Sequence, residues 1–541
     1  MFGGPVKAQC LPFSQIPHTT RLFADFLAEA PAVQPFLPRT PKFPEWFQDE
    51  TAKLRYDSTR RARVAAILER QNQVWAASPK TLENIARLRR GASAVVTGQQ
   101  VGFLGGPLFS IFKALTAVKL AAEAAQGGAD CVPIFWLATQ DHDLEEVSHV
   151  FVPGPEASLR KLEAATRGLP DAPVASVTLA PQHDAVLAEL PQLLGESQVV
   201  TLLRESYRSG ESLGNAFARL FAGLFADWGV ILLDASDPEL NAVAAPIYRS
   251  VIERADELER ALLDRGRELE AAGYHQQVKV TASSTLLFTL RDGARVPIHH
   301  TPGSSDFLVK ETRIPQAELL RQISSAPHHF SANVLLRPVV QDYLLPTLAY
   351  TGGSAEVAYF AQSEVVYRAL LGRVTPIIPR FSATLVEQKP QALLERYELS
   401  LPEVFRGPVA LRERLAAHAL PQDLQRAFED ADAGLKKSFA AIRQALERLD
   451  KTLVEAAENA EGKVAHQLES LRARAARAEL RQSEVLDRHA QLLTNALYPE
   501  KTLQEREIAG IYFLARQGDG FLTDLYATIH SDCFDHQIVA L

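Results

Sequence analysis

The residues with the clearest capacity for chemistry lie in a glycine-rich stretch at residues 97–107. Glycine lets the backbone approach a ligand closely, and the helix expected to start at Pro107 would offer N–H groups and a partial positive charge to an anion. The candidate ligand-binding residues here are Thr97, Gly98, Gln99, Gln100, Gly105 and Gly106. The alternative is a tight turn between a strand and a helix, in which glycine serves packing alone.

A histidine between two carboxylates forms the second group of candidates. Asp141, His142 and Asp143 closely follow the apolar run at residues 131–137. Two carboxylates beside an imidazole can select its tautomer and raise its pKa, which suits general acid–base catalysis. The same side chains could instead hold Mg²⁺, or form an Asp–His pair that caps the helix after Asp143. We assign catalysis to these three residues and assign no residue to a metal.

A third group combines an arginine with a second pair of glycines. Its members are Arg337, Gln341, Asp342, Gly352, Gly353 and Glu356. The glycine pair precedes an expected helix and so repeats the anion-binding pattern, and Arg337 could bind a carboxylate or a phosphate. An ordinary helix entry is the alternative. Asp234 ends another apolar run, where its carboxylate could bind a ribose hydroxyl or cap the next helix.

These candidates accompany short apolar runs that are typical of buried strands. The runs are residues 93–97, 131–137, 229–234 and 346–351, and helical patterns alternate with them. This order indicates an α/β fold with a Rossmann-like, doubly wound parallel sheet, in which ligands bind at the carboxyl ends of the strands. Asp292-Gly293, between two further apolar runs, predicts a small antiparallel hairpin within an insertion.

Beyond about residue 386 the strand pattern ends and apolar residues recur at spacings of three and four. This heptad pattern runs from Leu435 to Leu492 with a four-residue stutter near Gly462. A continuous helix would be about 85 Å long, and a hairpin broken near residues 459–462 is the alternative. We expect a Rossmann-like core at residues 1–384, with insertions at about 144–228 and 240–335. A helical coiled-coil domain at 385–500 and a C-terminal segment at 501–541 that returns to the core would follow.

The composition argues against two classes of binding partner, nucleic acids and membranes. Lys and Arg number 57 and Asp and Glu 65, a net charge of −8, which gives no global basis for binding nucleic acid. No window approaches the ~20 apolar residues of a membrane span, so we expect no membrane partner and a cytoplasmic location. The 3 cysteines, Cys10, Cys131 and Cys533, are too widely separated to indicate a disulfide framework.

Several of these motifs together resemble one protein family. They are Thr-Gly-Gln-Gln-Val-Gly-Phe-Leu-Gly-Gly-Pro-Leu-Phe at residues 97–109 with Lys113, Phe-Trp-Leu-Ala-Thr-Gln-Asp-His-Asp at 135–143 with Glu146, and Leu-Arg-Pro-Val-Val-Gln-Asp at 336–342. These motifs resemble those of the bacillithiol-biosynthesis cysteine-adding enzymes. This resemblance implies a core similar to class I aminoacyl-tRNA synthetases and nucleotidyltransferases, two connecting-peptide insertions and a coiled coil that forms a homodimer. It also implies a ligase that adds L-cysteine to glucosaminyl malate to form bacillithiol, a low-molecular-weight thiol.

An amide does not form from a free carboxylate at a useful rate, so the implied reaction needs an activated cysteine carboxyl group. ATP or another nucleotide, with Mg²⁺, is therefore the expected cofactor. The glycine-rich stretch would hold phosphate or the substrate carboxylate, and His142 would accept the proton of the attacking amine. The chain lacks the His-x-Gly-His and Lys-Met-Ser-Lys-Ser signatures of the synthetases. A dimeric nucleotide-binding scaffold or regulatory protein without ligase activity is the alternative hypothesis.

Overall fold

A computed structural model describes residues 8–155, 158–301, 304–418, 422–482, 484–518, 520–531 and 533–541. Its centre is a parallel sheet of five strands: β1 (Ser93–Gln99), β2 (Cys131–Leu137), β3 (Ile231–Asp234), β4 (Thr347–Gly352) and β5 (Ile377–Pro379). Their order across the sheet is β5-β4-β1-β2-β3, so the chain winds outward in both directions from β1. This arrangement confirms the expected Rossmann-like fold class.

Both faces of the sheet are covered, which explains why its strands are continuous apolar runs. Ala94 and Val96 of β1 pack into one core cluster, and Val95 packs into the other. The remaining layers are helices of the same compact unit. This unit runs up to Val152 and includes Arg160–Thr384 and Glu505–Val539. Its helices are Arg21–Leu27, Phe47–Lys53, Ser58–Val74, Pro79–Arg90, Phe109–Gln126, Leu144–Val147, His183–Leu194, Gln198–Ser206, Leu213–Leu224, Pro238–Glu253, Ala255–Ala271, Gln316–Ser325, Arg337–Leu344, Ser354–Leu371, Gly510–Gln517 and Phe521–Thr528.

The expected hairpin is part of a larger antiparallel sheet. Its strands, in spatial order, are Thr312–Pro315, Asp306–Val309, Ala294–His300, Ser284–Arg291 and Phe330–Ala332. Asp292 and Gly293 form the turn with φ of 54° and 80°, the backbone conformation that favours Asp-Gly in a two-residue hairpin. The expectation of a small hairpin was therefore right about the turn and wrong about the size, since three further strands extend it.

Shorter strands complete the sheet structure. His149–Pro153 pairs with Leu159–Glu163, and Thr166–Arg167 pairs with Thr178–Leu179. The N-terminal strand Ala8–Leu11 pairs antiparallel with the C-terminal strand His536–Ala540, which also lies beside Ala383–Val386.

The second compact unit is helical, with helices at Gln388–Arg396, Leu401–Val404, Pro408–His418, Gln422–Leu449, Leu453–Gln482 and Glu484–Leu497. The two longest helices form an antiparallel hairpin, because Arg443 pairs with Glu461 and Arg472 lies 3.6 Å from Asp432. The continuous helix is therefore wrong and the hairpin alternative is confirmed, but the break lies at residues 450–452 instead of 459–462. Asp450 ends the first helix, where its Oδ1 accepts the Thr452 N–H at 2.9 Å. A short Asx turn thus reverses the chain about ten residues before Gly462.

No helix among the residues that the structure describes is long and apolar enough to cross a membrane.

Candidate active site

A cavity of about 550 Å³ lies where β1, β2 and β4 end, and we call it the sheet-edge cavity. Its charged lining residues are Lys113, Arg295, Arg337, Arg380 and Arg506, together with Asp141, Glu146 and Glu356. Five basic side chains against three acidic ones leave an excess of positive charge, which favours an anionic ligand. Trp136 and Gln100 also line the cavity, and among the described residues the Trp136 Nε1 donor and the Gln100 Oε1 acceptor have no hydrogen-bond partner.

Lys113 is a buried cation of this cavity with three polar partners. Its buried Nζ lies 2.7 Å from Glu356 Oε2 and donates to the Gly98 carbonyl and to Gln99 Oε1, both at 2.8 Å. Burial lowers the pKa of Lys113 to about 8, although Glu356 acts in the opposite direction. The helix Phe109–Gln126 places this one ammonium group at the end of β1.

Glu356 is the carboxylate counterpart of Lys113. It also accepts the Tyr350 hydroxyl at 2.6 Å and the Gly353 N–H at 2.7 Å. Burial acts to raise the pKa of Glu356, but Lys113 and these two donors outweigh it and hold the pKa below the usual value. The Gly353 N–H therefore already donates a hydrogen bond in a helix-capping interaction. The expectation that the glycine pair offers its amides to an anion is corrected for Gly353, although the residue lines the cavity.

Asp141 and Arg295 form the second charged pair, at 3.4 Å. Asp141 also accepts the His142 N–H at 2.8 Å and the Gln100 side-chain amide at 3.1 Å. Burial acts to raise the pKa of Asp141, but Arg295 and these donors lower it. Arg295 is fixed from the other side, since it donates to the Ala332 carbonyl at 2.7 Å and lies over the Phe288 ring.

His142 is not held between two carboxylates as the sequence suggested. Its Nδ1 lies 3.2 Å from Arg295 Nη1, which can only donate, so Nδ1 acts as the acceptor. Asp143 points to the helix Leu144–Val147 instead, where its Oδ1 accepts the Glu146 N–H at 3.1 Å. Asp143 is thus a helix cap, and neither it nor His142 belongs to the cavity lining, whereas Asp141 and Glu146 do.

The glycine-rich stretch divides into two parts with different surroundings. Gly98, Gln99 and Gln100 line the cavity at the end of β1. Gly105 and Gly106 lie outside its lining, because the Gly105 N–H is bonded to the Tyr207 hydroxyl at 3.0 Å and the Gly106 N–H to the Phe103 carbonyl at 2.9 Å. Their expected role in ligand binding is therefore corrected. Both need glycine for a positive φ, 85° and 72°.

Other predicted residues support the cavity without facing it. Thr97 is buried and donates to the Thr351 carbonyl at 2.8 Å, which links β1 to β4. Asp342 is buried and accepts the Tyr367 hydroxyl at 2.6 Å. Gly352 gives its carbonyl to the Arg380 N–H at 2.8 Å. Arg337 and Gln341, by contrast, line the cavity.

The acids at the end of β3 are structural. Asp234 accepts the Ser236 N–H at 2.8 Å and is bonded to the Thr139 hydroxyl. Asp237 caps the helix Pro238–Glu253. The helix cap is therefore Asp237, three residues after Asp234, and Asp234 itself does not cap the helix.

Two family profiles together match nearly the whole chain. One, described as the N-terminal Rossmann-like domain of bacillithiol biosynthesis BshC, matches residues 6–381, and the other, the C-terminal coiled-coil domain, matches residues 383–541. The chain belongs to the BshC family. A relative from Koribacter versatilis is 49% identical over 530 residues, covering 98% of this chain and 99% of the relative. Relatives from Solibacter usitatus and Salinibacter ruber are 38% and 33% identical, with at least 96% of each chain covered. All three are named "Putative cysteine ligase BshC".

Local sequence motifs do not identify several charged residues of this BshC cavity. Arg295 comes from the antiparallel sheet and Arg380 follows β5, while Arg506 comes from near the C-terminus. Arg380 forms a buried ion pair with Glu505 at 2.7 Å. Lys113 and Glu146 were present in the family motifs, and a lysine within a largely apolar helix was the available signal for the first. The local sequence gave none of the three arginines a role in the site.

The lining of the cavity has the charge and the donors that a nucleotide's phosphate groups require. The basic lining and the unpaired Trp136 donor suit phosphate or carboxylate oxygens. Within the described ranges, no group of three or more His, Cys, Asp and Glu side chains is placed to hold a metal ion. A Mg²⁺ ion that accompanies a nucleotide keeps several waters and binds phosphate oxygens, with only one or two carboxylates from protein.

Proposed function

We propose that this BshC-family chain is a cysteine ligase that joins the carboxyl group of L-cysteine to the amino group of glucosaminyl malate. The observation that carries the proposal is the division of the cavity's cations into paired and unpaired groups. Lys113, Arg295 and Arg380 each have a carboxylate partner. Among the described residues, Arg337 and Arg506 have no carboxylate oxygen within ion-pairing distance.

Arg337 and Arg506 provide two guanidinium groups for an anionic substrate. The malate part of glucosaminyl malate carries two carboxylates, and guanidinium groups bind carboxylates in a planar, two-point geometry. Arg337 is oriented by the Tyr359 hydroxyl, to which it donates at 3.3 Å. We assign the malate carboxylates to Arg337 and Arg506, which leaves the amino sugar directed toward the end of β1.

The end of β1 is where we place the activated cysteine carboxyl group. Gly98, Gln99 and Gln100 would bind there, beside the Lys113 ammonium. ATP or another nucleotide, when bound, would supply the better leaving group that amide formation requires. The protein's part is to orient the two substrates and to stabilise the negative charge that develops on the reacting carboxyl group.

The attacking amine must lose a proton, and the cavity offers Glu146 as the acceptor. The partly desolvated Glu146 carboxyl group lines the cavity, and desolvation, together with the neighbouring Asp143 carboxylate, raises its pKa above the usual value. A carboxylate with a raised pKa is a stronger base. We therefore move the role first proposed for His142 to Glu146, with Asp141 and Arg295 as positioning residues.

The coiled-coil hairpin supports the proposed homodimer. Ile442, Leu449, Val464 and Leu471 belong to the heptad pattern, yet between 42% and 77% of each residue's surface is exposed. Apolar residues at heptad spacing are normally covered by a partner helix. A second copy of the hairpin would cover them.

The ligase proposal is tested by incubating the purified chain with cysteine, glucosaminyl malate and each nucleotide in turn, with mass spectrometry of the products. We expect bacillithiol to form with at least one nucleotide. Glu146→Gln should abolish most of the product, and the neighbouring exposed Glu145→Gln should not. Binding of the substrates without product under every nucleotide condition would favour the scaffold hypothesis and contradict the proposal.

A further inference from the structure

Two cysteines separated by almost the whole chain lie side by side. Cys10 Sγ is 3.4 Å from Cys533 Sγ. Cys10 belongs to the N-terminal strand, opposite Gln537 of the C-terminal strand, and Cys533 lies three residues before that strand begins. The register of this strand pair therefore determines the approach of the two thiols, and sequence spacing gave no indication of it.

Both thiols are accessible, unlike the third. Cys10 is exposed and Cys533 is partly exposed, whereas Cys131 is buried within β2. All three are free thiols in the structure. A disulfide bond needs sulfurs about 2.05 Å apart, so the Cys10 and Cys533 side chains must approach each other by little more than 1 Å. Side-chain rotation at an exposed surface accommodates a movement of that size.

We propose that Cys10 and Cys533 form a redox-active dithiol that a small-molecule disulfide converts to an intramolecular disulfide bond. The more exposed Cys10 thiolate attacks one sulfur of the small disulfide and releases one thiol. Cys533, as the thiolate, then attacks the Cys10 sulfur and releases the second. Two protein thiols are oxidised, one small disulfide is reduced to two thiols, and the two protons end on the released thiols.

The order of attack follows from the surroundings of the two thiols. Burial raises the pKa of Cys533 to about 11, and the neighbouring Cys10 thiol acts in the same direction. A thiol that is rarely ionised is a poor first nucleophile. Once the mixed disulfide has formed on Cys10, however, Cys533 attacks a sulfur that is already adjacent, and proximity compensates for the low thiolate fraction.

The bond would link the N-terminal strand covalently to the segment that supports one cavity arginine. His536, which follows Cys533, contacts the Ser382 hydroxyl at 2.8 Å, and that hydroxyl donates to Glu505 at 2.9 Å. Glu505 is the ion-pair partner of Arg380. Closing this link restricts the unfolded chain much more than the folded one, which raises the melting temperature.

The test equilibrates the full chain in glutathione buffers of increasing disulfide content, blocks remaining thiols, and maps the digested peptides by mass spectrometry. We expect one linked peptide pair containing Cys10 and Cys533, lighter than the two thiol peptides by two hydrogen atoms, while Cys131 is recovered as a blocked thiol. The linked form should melt at a higher temperature than the reduced form. Recovery of Cys10 and Cys533 as blocked thiols or as separate glutathione adducts would overturn the proposal.

Matched variants make the result specific. Cys533→Ser leaves the exposed Cys10, which should take up a single glutathione. Cys10→Ser leaves only Cys533, a poor first nucleophile, which should take up little. Neither variant should show a redox-dependent rise in melting temperature. A rise of equal size in either variant would also overturn the proposal, because a single thiol cannot close the link.

Discussion

Replacement of Lys113 by methionine is the sharpest test of how the cavity is built. The variant fills nearly the same volume but leaves the buried Glu356 carboxylate with only the Tyr350 hydroxyl and the Gly353 N–H as donors. Removing one partner of a buried ion pair costs about 3–5 kcal/mol, because the other charge remains buried without compensation. The Gly98 carbonyl would also lose its donor.

That cost translates into a modest shift of the melting temperature. The unit that contains Lys113 has roughly 400 residues, and unfolding entropy near 60 °C is about 2.1 cal/mol/K per residue, or about 0.8 kcal/mol/K in total. We therefore expect Lys113→Met to lower the melting temperature of this unit by about 4–6 °C in scanning calorimetry at pH 7. Lys119→Met, on the same helix but partly exposed, is the control and should shift it by less than about 1 °C.

A second substitution separates the buried charge from ordinary packing effects. Adding Glu356→Gln to Lys113→Met removes the uncompensated carboxylate, so the double variant should recover at least about 2 °C. The difference between wild type and Lys113→Met should also widen from pH 8 toward 10.5. In that range the unfolded lysine still holds the proton that the folded one, with a pKa of about 8, has released, so wild-type stability rises with pH. Additive shifts in the double variant would refute the reasoning.

The remaining predictions concern the reaction and the assembly. Arg337→Gln should raise KM for glucosaminyl malate by about 10- to 100-fold, with KM for cysteine unchanged, and the exposed Arg321→Gln should alter neither. Glu146→Gln should lower kcat by about 10²- to 10⁴-fold. In the wild type, kcat/KM should rise with pH on the acid side as the Glu146 carboxyl group ionises, and this acid limb should be absent from the variant. An acid limb that survives in the variant would show that another residue is the base. Ile442→Glu on the coiled coil should convert dimers to monomers in light scattering, with Glu447→Gln as the exposed control.

The central sheet could be predicted from sequence because its strands are buried on both faces. Continuous apolar runs such as Cys131–Leu137 leave little choice of structure, and the predicted ends of β2 and β4 agree with the structure to within one residue. The coiled-coil turn was placed wrongly for a physical reason as well. Asp450 stops the helix with a side-chain hydrogen bond, a weaker signal than the glycine and asparagine near position 460, and Gly462 is accommodated inside a helix.

Only part of the site could be predicted from the sequence, because the charged side chains of the cavity come from segments that are far apart in the chain. Local motifs identified Gln99, Gln100 and Asp141, which lie together at the ends of β1 and β2. They could not identify Arg295 or Arg506, whose positions depend on how the inserted sheet and the C-terminal segment pack. They also gave Asp143 a catalytic role when its hydrogen bond to the Glu146 N–H makes it a helix cap. A sequence motif indicates which residues lie near the edge of the sheet. The packing of the folded chain determines which of their polar groups already have a hydrogen-bond or ion-pair partner.

The difference between paired and unpaired polar groups predicts different effects of substitution, on stability or on KM, for two arginines of this cavity. Arg380 is paired with Glu505 inside the protein, so a substrate carboxylate could use it only by breaking a buried pair, at about 3–5 kcal/mol. Arg337 can bind a carboxylate without that loss. Arg380→Gln should therefore lower the melting temperature, and Arg337→Gln should mainly raise KM for the dicarboxylate substrate. If both variants instead raised KM equally at unchanged stability, the ion pairs would not determine which cations bind substrate, and the assignment of the malate carboxylates would fail.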